Sequence, residues 1–210
     1  MATSPPSNAS GVTFRETMAG PFKLGLVDPK AVPDGAPELA MHAVVEIDDI
    51  EAFRADPQHK ARLSGTIDYP PLGTGLVAPS GVFGLFSPSH DPKLAYMVYE
   101  LAFEHAGKPH YLAGKKHVLV GAPWKLWGET TTLYTTLHEG RDASGRVIGA
   151  GTLSLGVGAL LRLLTTVGGT PAAPARSLWQ RIGAIASFFT FFSGELVRTY
   201  VLQRGRGGRS

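Results

Sequence analysis

The chain contains no cysteine. That excludes disulfides, thiolate metal sites and a cysteine nucleophile, and it suits a reducing, cytoplasmic setting. Charge of one sign is scarce as well. Net charge is only +3 over 210 residues, and no stripe of basic and aromatic side chains runs through the chain, so nucleic acid is not an expected partner. The start, "MATSPPSNAS", lacks the basic stretch and apolar core of a secretory signal. Long apolar runs are missing too. The uncharged stretch from Ile182 to Gly194 is shorter than the roughly 18 residues a spanning helix needs.

The familiar chemical signatures are also absent. "GAGTLS" begins like a dinucleotide fingerprint but has Ser154 where the third glycine belongs, and it sits inside a predicted strand. "GTLSLG" departs from a nucleophile elbow at Thr152. There is no phosphate loop. The seven histidines form neither His-x-His nor His-Glu-x-x-His, so neither a metal nor any other cofactor is expected.

What is abundant is glycine, with 26 residues, and proline, with 16. With short apolar runs between them, they predict many turns and hence many strands. Residues 1–11 read as a disordered leader. A first strand between Val12 and Leu26 is expected to break near Ala19-Gly20-Pro21. "ELAMHAVVEID" is a strand, and "IDDIEAFRADP" a short helix near residue 50 with Asp48 as its cap. "ARLSGTIDYPPLGTG" is a strand ending in a Pro/Gly corner, followed by a short apolar strand in "GVFGLFSP". "KLAYMVYELAFEHAGKPHYLAGKKHVLVG" is a hairpin turning at Ala106-Gly107-Lys108-Pro109. A second hairpin joins "GETTTLYTTLHEG" to "GRVIGAGTLSLGVG". In the first of these strands Leu133, Thr135 and Leu137 share one face, and Thr130, Thr132, Tyr134, Thr136 and His138 the other. Long hairpins in series are what an antiparallel meander or barrel requires.

The expected fold is therefore mainly β: an antiparallel, lipocalin-like barrel or strongly curved sheet over residues 12–168. Residues 169–176 form a Pro/Gly/Ala linker. Residues 177–203 are a long C-terminal helix packed on the barrel, with an apolar stripe from Leu178 to Leu196. Residues 204–210 are a basic tail.

Barrels of about eight strands can hold one small ligand. The aromatic and apolar residues expected to line such a cavity are Phe83, Phe86, Tyr96, Met97, Tyr99, Leu101, Phe103, Trp124, Trp127 and Tyr134. Glu100 is the first acid–base candidate, because a carboxylate facing an apolar interior would have a raised pKa. The more apolar face of its strand is the opposite one, however, which favours a solvated Glu100. Glu129 is a second candidate. Lys115, Lys116 and His117 are consecutive, so within a strand at least one of them must point inward.

Several stretches taken in order resemble a known domain: "FRETMAG", "IDDIEAFRADPQHKARLSGTID", "GVFGLF", "MVYELAFEHAGKPHYLAGKKHV", "LWGETTTLYTTLHEG", "VIGAGTLSL" and "FFTFFSGELV". As a set they are similar to the accessory domain that accompanies bacterial cholesterol-oxidase-like flavoenzymes of the glucose-methanol-choline class. The resemblance implies an association with oxidation of sterols, lipids or other hydrophobic substrates, and a flavin-dependent oxidoreductase as partner. It carries no catalytic residues. The leading expectation is binding or presentation of an apolar small molecule, such as a lipid, sterol or isoprenoid-like compound. One alternative is a cofactor-independent isomerase or cyclase using Glu100, Glu129, Lys116 or His117. Another is a docking subunit whose C-terminal helix contacts a partner or a membrane surface.

Overall fold

A computed structural model describes residues 11–88, 94–119 and 132–155. The C-terminal helix, linker and tail expected from the sequence lie outside these residues, as do Glu129, Trp124, Trp127 and the side chain of Phe86.

The described chain forms eight strands in one antiparallel meander that closes on itself. They are β1 (Val12–Leu24), β2 (Glu38–Ile47), β3 (Lys60–Tyr69), β4 (Gly73–Pro88), β5 (Leu94–His105), β6 (Lys108–Leu119), β7 (Thr132–Glu139) and β8 (Arg146–Leu155). Each strand pairs with its sequence neighbours. β1 also pairs with β8, from Met18 opposite Leu155 to Leu24 opposite Gly149, and this seam shuts the barrel. Closure leaves the sheet without a terminal strand.

The alternation seen in the sequence becomes the inside and outside of the wall. Val12, Phe14, Met18 and Phe22 of β1 point inward, as do Leu39, Met41, Ala43, Val45 and Ile47 of β2. Leu133, Thr135 and Leu137 do the same on β7. The β5–β6 hairpin turns on Ala106-Gly107, at φ 49° and 71°. Positive φ at both central residues gives the turn a twist that matches the strands, so β6 begins already at Lys108.

Three expectations need correction. β1 is unbroken through Ala19-Gly20-Pro21, because all three residues pair with β2 in the register of the rest of the strand. β4 is one long strand from Gly73 to Pro88, with irregular register opposite β3 and β5 absorbing its glycines and prolines. The helix, α1 (Ile50–Ala55), is capped by Asp49, which accepts from the amides of Glu51 and Ala52. Asp48 instead takes a two-pronged bond from Arg62 at 2.6 and 3.0 Å.

The two ends of the barrel differ. The far end carries the connection from β1 to β2, the corner after Tyr69 and both hairpin turns. The near end carries the first residues of β1, α1, and the ends of β4, β6 and β8. At the far end Phe22 and Tyr69 meet edge to face at 5.2 Å, and the Tyr69 hydroxyl donates to the Phe22 carbonyl at 3.1 Å. The Phe22 ring lies on Gly149 and Gly151. A Cβ at those positions would come within 2.7 and 2.6 Å of it, so only glycine admits the ring. At the near end α1 turns Ile50 and Phe53 into the same core.

Candidate functional site

Among the described residues the apolar interior encloses polar side chains from four strands. Glu16 on β1 is 7% exposed, Tyr99 on β5 2%, Lys116 on β6 2% and Thr135 on β7 0%. Each is inward because it falls in the apolar phase of its strand. Glu16 lies between Phe14 and Met18, Tyr99 between Met97 and Leu101, and Thr135 between Leu133 and Leu137. Lys116 follows His110, Leu112 and Gly114 in the buried phase of β6, opposite Met97 on β5.

Glu16, Tyr99 and Lys116 converge. The Lys116 ammonium sits 5.0 Å from the centre of the Tyr99 ring, within cation–π range. Phe83 meets Tyr99 edge to face at 5.1 Å, and Phe14 meets Phe83 at 5.9 Å. Burial, the negative charge of Glu16 and a hydrogen bond to it push the Tyr99 phenol well above its ordinary pKa. Burial lowers the Lys116 pKa, and the charge of Glu16 partly opposes that shift. Thr135 donates to the Leu133 carbonyl of its own strand at 3.2 Å.

The trio is incompletely satisfied. Glu16 Oε1 is buried without a hydrogen-bond partner among the described residues. Within the same set Lys116 makes neither a hydrogen bond nor an ion pair within 4 Å. Burying an ion costs several kcal/mol, and a buried polar atom without a partner costs more than one that is paired.

The expected site residues divide between the two faces of the wall. Phe83, Tyr99, Leu101, Phe103 and Lys116 are buried inside, and Met97 packs against them. Tyr96, Tyr134 and His117 are outside. There the His117 ring lies 5.4 Å from each tyrosine ring in a three-ring row. Glu100 is also outside, opposite Val82 and Ala113, where it accepts from the Tyr111 hydroxyl at 2.8 Å. Glu100 and His117 therefore leave the interior acid–base set, and Tyr96 and Tyr134 leave the interior lining. Lys115 points outward toward Tyr96, so of the consecutive basic residues only Lys116 turns in.

Glu16 was missed. Its signal was the alternation Val12, Phe14, Glu16, Met18, in which a carboxylate interrupts an otherwise apolar face.

On the outer wall Thr17, His42 and Asp68 form a hydrogen-bonded chain. His42 Nδ1 lies 3.0 Å from Thr17 Oγ1, and His42 Nε2 3.1 Å from Asp68 Oδ2. The Gly75 amide donates to Asp68 at 2.6 Å, and this bond, followed by the one from His42, lowers the Asp68 pKa. A shallow groove of about 470 Å³ lies beside His42, lined by Val44, Ser64, Thr66 and Val77 among others. Among the described residues no group of three or more His, Asp or Glu is placed to hold a metal ion. Within the same set no helix is long and apolar enough to cross a membrane.

Comparison with protein-family models, with curated proteins and with solved structures gives no match for this chain.

Proposed function

We propose that the barrel binds a small, largely apolar molecule and meets its polar end with Glu16, Tyr99 and Lys116. The observation that carries this reading is a buried Glu16 oxygen without a partner among the described residues, close to a buried Lys116, inside an apolar wall. A barrel that served only as a scaffold would be as stable, or more so, with apolar residues at those positions. A ligand with one polar group supplies the missing partners, and its apolar body lies against residues such as Phe14, Phe83, Met97 and Leu101. Apolar burial gives roughly 25 cal/mol per Å² before the costs of association. In this sense the barrel is lipocalin-like. A flavin-dependent oxidoreductase is the proposed partner to use such a ligand, on the strength of the resemblance described above. A helix over 177–203 would offer that partner a docking surface.

A second reading is favoured by the same trio. Lys116, Tyr99 and Glu16 are a base, an acid and a charge in desolvated surroundings, which suits proton transfer in a cofactor-independent isomerase or cyclase.

Native mass spectrometry of the purified full-length chain, followed by solvent extraction, tests the proposal. A co-purifying hydrophobe bound one to one supports it. A bare chain that also fails to bind any of a panel of long-chain alcohols, sterols and isoprenoids rules it out.

A further inference from the structure

We propose that Lys116 captures the carbonyl group of an apolar aldehyde or ketone as a reversible imine. This deepens the ligand-binding reading and rests on it. The argument starts from what the trio will accept. A ligand carboxylate would pair with Lys116 but would stand beside the carboxylate of Glu16, and like charges in a dry interior repel strongly. A neutral polar end avoids that conflict. Among neutral groups, a carbonyl is the one that an amine converts into a covalent bond.

The surroundings of Lys116 favour that step. Its side chain is buried, and although the charge of Glu16 favours keeping the proton, burial outweighs it. A desolvated lysine reaches the neutral, nucleophilic amine more readily than a surface lysine does. Lys115, one residue away, is exposed on the outer wall and lacks this environment. Glu16 offers a free buried oxygen, Oε1, and Tyr99 a hydroxyl at the same place.

The chemistry balances with these groups alone. The neutral Lys116 amine attacks the carbonyl carbon, forming the C–N bond as the C=O π bond opens; Tyr99 donates a proton to the oxygen and Glu16 accepts one from nitrogen, giving a carbinolamine. Glu16 then donates that proton to the hydroxyl, which leaves as water as the C=N bond forms, and the iminium proton returns to the Tyr99 phenolate. Aldehyde and amine give imine and water, with no change of oxidation state. Protonated, the imine has Glu16 as its counter-ion, and the apolar wall slows hydrolysis by excluding water.

The test uses the full-length protein with decanal and sodium cyanoborohydride, read by intact mass and peptide mapping. A parallel measurement asks whether 1-decanol, which cannot form an imine, displaces a fluorescent apolar probe. The expected result is a reduced adduct on Lys116, adding the mass of decanal less one oxygen. It persists in Lys115→Arg and is lost in Lys116→Met. If 1-decanol binds but decanal leaves Lys116 unmodified, the imine is refuted and the ligand-binding reading stands. If neither compound binds, both fall. Should Lys116→Met not fold, the site mapped in the wild-type chain decides: modification spread over surface lysines such as Lys115, without Lys116, refutes the imine.

Discussion

The far and near ends of this barrel solve opposite problems with the same alternating strands. At the far end Phe22 fills the space that Gly149 and Gly151 leave open, and the Tyr69 hydroxyl is satisfied by a carbonyl. Toward the near end Glu16, Tyr99 and Lys116 occupy positions of the same inward phase, yet an oxygen of Glu16 goes without a hydrogen-bond partner among the described residues, and the Lys116 ammonium lies over the Tyr99 ring. Both ends share one apolar core, and toward the near end that core also encloses a carboxylate oxygen with no partner among the described residues, the feature on which the ligand-binding proposal rests.

Four experiments break or sharpen that contrast, taken from the largest effect to the smallest. Phe22→Ala opens a cavity over two glycines that cannot fill it, and unfolding in urea should show a loss of about 3–5 kcal/mol. A loss well under about 1 kcal/mol would mean that the far end is not the packed core described here. The double variant Glu16→Gln, Lys116→Met replaces a buried, poorly partnered charge pair by neutral side chains of similar size. It should gain about 1–3 kcal/mol while losing ligand binding. A comparable loss of stability would show that the trio is structural.

The third experiment follows pH. The folded-state pKa of Lys116 lies below its ordinary value of 10.5, so between the two the unfolded chain holds more protons than the folded one. Stability should therefore rise with pH through that window, and wild type should gain stability relative to Lys116→Met as 10.5 is approached. Urea midpoints of both proteins at several pH values measure it. A constant difference contradicts a desolvated Lys116. The smallest effect belongs to Glu100→Gln. It keeps an acceptor for Tyr111 on the outer wall, so it should change stability by no more than about 0.5 kcal/mol and leave ligand affinity intact.

Much of this architecture was legible in the sequence because strand alternation is a local signal. The Leu133, Thr135, Leu137 face and the β5–β6 hairpin needed only a period of two and a turn. β4 was harder to read. Its glycines and prolines look like punctuation, and only pairing with β3 and β5 shows that they are irregularities within one strand. The helix cap slipped by one residue because Asp48 and Asp49 are equally good caps locally, and Arg62 on β3 claims the first. The site was half legible. Lys116 could be anticipated because consecutive basic residues must alternate. Its partner Glu16 lies far along the chain on β1, and closure of the barrel brings the two strands' interior residues together.

The central claim is that the near end of the interior receives the polar end of a ligand. The most direct test is displacement of a bound fluorescent apolar probe by 1-decanol, in the wild-type chain and in Glu16→Gln, Lys116→Met. Saturable one-to-one displacement in wild type, with loss of binding in a variant that remains folded, is the predicted result. Equal displacement in both proteins would place the ligand elsewhere and contradict the account.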